Sequence, residues 1–155
     1  MEAQLAKLYD RDFFAWTQDQ AAALRKFAET RPNAPIDWSN LIEEVEDLGK
    51  QLRNGLRSQL RQILLHLLLL TASDRSEPRA GWMDEIDAAR DRIDDRITAT
   101  LRQDLEAELP NLFDRARRAA RDKLERYGEA EAVRNLPATC PWSVEQVLDV
   151  AWWPR

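Results

Sequence analysis

The chain has 155 residues, a size that suits one compact domain and falls short of two ordinary ones. Apolar residues make up 44% and charged residues 33%, with only 4 Gly and 7 Pro, which excludes a disordered, collagenous or low-complexity chain. A formal net charge of −5 sets the chain as a whole against phosphate backbones and anionic lipid, so nucleic-acid binding would need a local basic patch.

Strand signals are nearly absent, because no alternating run of β-branched residues is bounded by Asn-Gly or Asp-Gly turns. A first helix is predicted over residues 10–30, with Asp10 as N-cap and an apolar stripe of Phe13, Trp16, Thr17, Ala21, Leu24 and Phe27. Pro32 and Pro35 stop it. Asp37 then caps a second helix predicted over residues 37–72, where Leu41, Val45, Leu48, Leu52, Leu56, Leu60, Ile63, Leu67 and Leu70 mark one continuous stripe. Gly49 and Gly55 are its weak points, each costing ~1 kcal/mol relative to Ala, and they mark a close helix approach, a bend or an interruption.

Met83, Ile86, Arg90, Ile93 and Ile97 give a third helix over residues 79–98. Thr100 could cap a short segment ending at Pro110, and a fourth helix over residues 110–127 carries Leu112, Phe113, Ala116, Ala119, Ala120, Leu124 and Tyr127, with Gly128 placed as a left-handed C-terminal residue. Residues 136–155 form a tail in which Ser143 and Gln146 make a capping box for a last short helix. The expected architecture is a single all-α domain, an irregular helical bundle with one long central helix and a docked C-terminal tail.

Cys140 is the one cysteine, so no intramolecular disulfide is possible. The longest apolar run, residues 63–70, is far below the ~20 residues that cross a bilayer, and no cleavable leader is visible. These readings point to a cytoplasmic protein without a membrane partner.

Three stretches resemble a bacterial family catalogued as domain of unknown function twenty-nine. They are Tyr9-Asp10-Arg11-Asp12-Phe13-Phe14-Ala15-Trp16-Thr17-Gln18, then Asp37-Trp38-Ser39-Asn40-Leu41-Ile42-Glu43-Glu44-Val45-Glu46-Asp47-Leu48-Gly49-Lys50 leading to the leucine-rich segment with His66, and finally Cys140-Pro141-Trp142-Ser143-Val144-Glu145-Gln146-Val147-Leu148. The resemblance spans essentially the whole chain. It implies a small helical protein and brings no reaction, cofactor or partner with it.

Among candidate chemical groups, Glu43, Glu44, Glu46 and Asp47 are the residue types that build carboxylate metal sites on bundle helices. Such sites want a Glu three residues before a His, whereas Ile63 stands three before His66. Acids early in the helix, with Lys50, Arg53, Arg57 and Arg61 further along, also complement the helix dipole, and Glu46 to Lys50 is a favourable i,i+4 pair.

His66 reads as a polar core residue and Cys140 as a half-buried thiol. No phosphate-cradling or nucleophile loop is present, and no cofactor is expected. Arg115, Arg117, Arg118, Arg121, Lys123 and Arg126 form the densest basic stretch. Asp114 with Arg118, Arg121 with Glu125, and Asp122 with Arg126 read as i,i+4 pairs of a solvated face, which argues against nucleic acid. Trp38, Trp142, Trp152 and Trp153 fall at helix ends or in the tail, where large aromatics serve as interface anchors or as covers for the helix ends.

The sequence assigns no definite function. It favours a noncatalytic interaction or assembly module that associates with itself or with another protein. The alternatives are a divalent-metal enzyme or metal-binding protein using the acidic cluster, and nucleic-acid binding through the basic helix.

Overall fold

A computed structural model describes all 155 residues. It contains seven helices and no strand: α1 (Glu2–Arg11), α2 (Phe13–Thr30), α3 (Trp38–Ala72), α4 (Arg79–Asp94), α5 (Ala99–Arg126), α6 (Ala130–Arg134) and α7 (Val144–Leu148). The all-α class expected from the sequence is therefore what the chain forms. The chain groups into two compact units, Met1–Gly55 with Thr98–Arg102, and Leu56–Ile97 with Gln103–Arg155.

In the first unit the N-cap of α2 is Asp12 and not Asp10, because α1 already occupies residues 2–11. The Asp12 carboxylate accepts from the Ala15 amide at 3.0 Å and from the Thr100 amide at 3.4 Å, so one buried side chain serves two helix starts. The N-cap of α5 is Thr98 and not Thr100: its hydroxyl oxygen accepts from the Leu101 amide at 3.3 Å. Asp37 caps α3 by accepting from the Asn40 amide at 3.3 Å. Trp38 donates its indole N–H to the Arg31 carbonyl at 3.2 Å and meets Phe27 edge-on at 5.8 Å, closing the turn between α2 and α3.

α3 runs unbroken through both glycines. Gly49 is where α2 and α3 touch, since a Cβ placed there would lie 2.1 Å from Thr17 Oγ1 and 3.2 Å from Phe14 Cδ2. Thr17 is fully buried and donates its hydroxyl to the Phe14 carbonyl at 2.7 Å, so it has little room to yield. Gly55 has nothing near it. Only Ala21 and Leu101 are buried apolar residues in this unit, whereas Phe27, Leu41 and Leu48 from the expected stripes are exposed.

The second unit holds nearly all of the core. Ile63, Leu64, Leu67, Leu68 and Leu69 are fully buried, so this part of α3 is apolar around most of its circumference, as a largely enclosed helix must be. α5 continues straight through Pro110, where a break was expected. Proline inside a helix costs about 3 kcal/mol. Burial of Leu105, Leu112, Phe113, Ala116, Ala120 and Leu124 along one face of α5 outweighs that cost, since each such side chain contributes ~1.5–3 kcal/mol.

Gly128, at φ +75°, ends α5 with the Glu129 amide bonded to the Leu124 carbonyl and the Gly128 amide to that of Glu125, both at 3.0 Å, which is a Schellman motif. α4 faces inward with Trp82, Ile86, Ala89, Arg90 and Ile93, and the stripe member Met83 is exposed. The short α6 was not foreseen; α7 carries the capping box of Ser143 and Gln146.

The two glycines of α3 should respond oppositely to alanine. Gly49→Ala is expected to destabilise by about 1–3 kcal/mol through overpacking against Thr17, with partial rescue by Thr17→Ala, while Gly55→Ala should stabilise by up to about 1 kcal/mol. Chemical denaturation of the three variants checks this.

Candidate functional site

The acidic cluster lies on α3 in the first unit, with Glu43 and Glu44 exposed and Glu46 and Asp47 half-buried. Glu46 accepts a hydrogen bond from the Arg25 guanidinium on α2, and Lys50 Nζ stands 3.9 Å from Glu46 and 3.5 Å from Asp47. The Arg25 hydrogen bond holds the Glu46 carboxyl below the usual carboxylate range. Glu46 and Asp47 thus face cations rather than one another, and no group of three His, Cys, Asp or Glu side chains that could hold a metal occurs in the chain.

His66 and Cys140 belong to the second unit. His66 Nδ1 donates to the Gln62 carbonyl one turn earlier, at 2.7 Å, which leaves Nε2 as the unprotonated nitrogen of a neutral ring. Cys140 donates its thiol to the Trp142 carbonyl at 3.3 Å, and burial pushes its pKa above the usual thiol value. A thiol so held is a poor nucleophile at neutral pH.

On the basic part of α5, Arg121 lies 3.9 Å from Glu125, but the Asp114–Arg118 and Asp122–Arg126 pairs read from the sequence do not form. Arg117 turns inward and donates to the Pro137 carbonyl at 2.8 Å. Arg57, read from the sequence as one of the cations complementing the helix dipole, forms a two-pronged ion pair with Asp104 at 2.8 and 2.5 Å, with Glu108 at 3.9 Å. A shallow polar concavity of about 490 Å³ lies over Asn111, Arg115 and Arg118.

Trp142, Trp152 and Trp153 come together in the second unit, whereas Trp38 closes a turn in the first. Trp142 and Trp152 meet edge-to-face at 6.1 Å, and with Trp153 they wall a pocket of about 620 Å³ completed by Thr71, Ala72, Asn135, Pro137, Pro141, Ala151, Pro154 and Arg155. Arg90 fixes this wall from behind. Its Nε donates to the Val147 carbonyl at 2.9 Å, one terminal nitrogen donates to the Trp152 carbonyl at 3.0 Å, and its guanidinium carbon lies 4.7 Å from the Trp153 ring centre. The remaining nitrogen faces Asp87 at 3.6 Å, an ion pair too long for a hydrogen bond. Burial lowers the Arg90 pKa, and Asp87 and Asp149 oppose that shift.

This helical order, with its capped α7 and tryptophan-bearing tail, coincides with a known sequence profile, described as Domain of unknown function DUF29, which matches residues 8–153. The chain belongs to the DUF29 family. Its fold is similar to the crystal structure of an alpha-helical protein of unknown function from Rhodospirillum rubrum, with a TM-score of 0.79 and 25% identity over 93% of this chain and 90% of that one. No curated protein matches the chain. No helix of this DUF29 chain is long and apolar enough to cross a membrane.

The sequence reading missed Arg90 as the anchor of the tail. The signal was available: an arginine placed between Ile86 and Ile93 on a core stripe has to carry partners inward with it. Asp12 was missed because Asp10 offers the same capping chemistry two residues earlier.

Burial is the main cause lowering the His66 pKa, and the bond to Gln62 opposes it. The unfolded chain takes up this proton near pH ~6.5 and the folded DUF29 domain only at lower pH, so the stability contributed by the neutral ring is full above ~6.5 and falls as pH drops below it. Thermal melts at pH 7.5 and 5.5 should accordingly show a smaller acid-induced loss in His66→Leu than in the unsubstituted protein.

Proposed function

We propose that this chain is a noncatalytic assembly module that associates with a second copy of itself, in the cytoplasm of a bacterium. The observation that carries this reading is the apolar seam on the first half of α3. Trp38, Leu41, Val45, Leu48 and Leu52 alternate steps of three and four residues, the a/d spacing of a helix meeting a partner helix. Leu41 is 41% exposed and Leu48 49%, and Phe27 and Ile36 of the same unit are exposed too.

The α2–α3 hairpin buries little apolar surface of its own, and two hairpins related by a twofold axis would supply the four helices of a bundle core. A self-complementary patch of this kind is the usual basis of a symmetric dimer. Ion pairing of Glu46 and Asp47 with Arg25 and Lys50 supports a structural role for the acidic cluster. A protonated, half-buried lone thiol suits a reducing compartment.

Size-exclusion chromatography with light scattering, run from micromolar to several hundred micromolar protein, tests the reading. A mass approaching twice 18.0 kDa is expected. The double substitution Leu41→Glu with Leu48→Glu should return the monomer with helix content unchanged, since both sites are largely exposed within one chain. An unsubstituted protein that stays monomeric throughout the series would overturn the proposal.

A further inference from the structure

We infer that two copies of this chain meet through α3 in antiparallel register, with the indole of Trp38 in each copy seated over Gly55 of the other. The inference rests on the self-association proposed above and fixes its direction and register, which a twofold axis alone leaves open.

The seam continues one step beyond Leu52. Trp38, Leu41, Val45, Leu48, Leu52 and Gly55 follow one another by three, four, three, four and three residues, an order that reads the same from either end. A second α3 running the opposite way therefore sets every seam position against another: Trp38 faces Gly55, Leu41 faces Leu52 and Val45 faces Leu48.

Side-chain volume decides between the two directions. In the antiparallel register the largest side chain of the seam meets the residue that has none, and the four layers between them hold Leu with Leu or Val with Leu. A parallel pair would set Trp38 on Trp38 at one end and Gly55 on Gly55 at the other, overpacking the first layer and leaving the last one hollow.

Both end groups are prepared for this contact. Trp38 is fixed by its indole bond to the Arg31 carbonyl and by the ring of Phe27, so little ordering entropy opposes its docking. Gly55 is exposed, and a Cβ built on it has nothing within 4 Å. Its backbone does not need glycine either, since Gly128 alone has a positive φ. Within one copy, then, a glycine that weakens the helix makes room for nothing.

Charge points the same way. Residues 37–47 carry Asp37, Glu43, Glu44, Glu46 and Asp47 and no base, whereas residues 50–57 carry Lys50, Arg53 and Arg57 and no acid. Parallel helices would lay acids beside acids; antiparallel ones lay the acidic stretch of each copy along the basic stretch of the other and also oppose the helix dipoles. Glu44 and Arg53 enter no ion pair within the chain, so part of this charge is left for a second copy.

The test joins two measurements on the full chain carrying Cys140→Ser. Leu41→Cys and Leu52→Cys variants, mixed while reduced and dilute, then concentrated and oxidised with diamide, should form a disulfide-linked dimer. Neither should do so alone, because its two thiols would lie roughly 17 Å apart along the seam at about 1.5 Å per residue. Gly55→Leu, with helix content checked by circular dichroism, should weaken dimerisation roughly tenfold or more in analytical ultracentrifugation, as the new side chain meets Trp38. Three results overturn the antiparallel register while self-association stands: Leu41→Cys linking to itself, a dimer in which the mixed pair does not link, or Gly55→Leu leaving dimerisation unchanged or tightening it. A protein that stays monomeric overturns both.

Discussion

The second unit depends on a single charge that has nowhere else to go. Arg90 is 2% exposed, and a guanidinium removed from water is costly unless most of its N–H groups find partners. Its two hydrogen bonds go to backbone carbonyls, at Val147 and Trp152, and the remaining nitrogen has only the ion pair to Asp87 at 3.6 Å, so most of the requirement is met by chain conformation. Lifting the tail off would remove both of those hydrogen bonds and leave the guanidinium with Asp87 alone. This requirement converts a stretch with one five-residue helix into an ordered wall, and the placement of Trp142, Trp152 and Trp153 follows from it.

The first unit is governed by a contact of a different kind. At Gly49 the absence of a side chain lets α3 meet Thr17, and Asp12 joins the starts of α2 and α5 through two amides. Both contacts are local and geometric, and neither buries much apolar surface. The same helix that is buried over most of residues 63–70 therefore begins with leucines in contact with water.

Helix periodicity and capping chemistry made the class and most element positions readable, because stripes, Asp37, Gly128 and the Ser143–Gln146 box act within a few residues of themselves. What the sequence could not show was set by distant partners. Pro110 looked like a boundary because local propensity opposes it, and only the buried face of α5 outweighs that propensity. Arg57 looked like one of several cations answering the helix dipole, and its pairing with Asp104, 47 residues away, has no local signature. At the candidate site, the tryptophans were visible as residues outside the stripes. That three of them share a pocket while Trp38 does not depends on where Arg90 holds the chain, which no spacing rule contains.

The unequal distribution of buried side chains also ranks the molecule by how readily its parts open. Amide hydrogens along residues 60–70 of α3 and 112–124 of α5 lie on helix faces sealed by leucine, isoleucine and phenylalanine, and their exchange with solvent requires disruption of the main core. Those of α1, which buries no residue, are released by fraying alone. Between these extremes, the α2–α3 hairpin is a segment whose solvent protection would rise with protein concentration if its seam is covered by another copy. Its openness in isolation is what would make such a rise measurable.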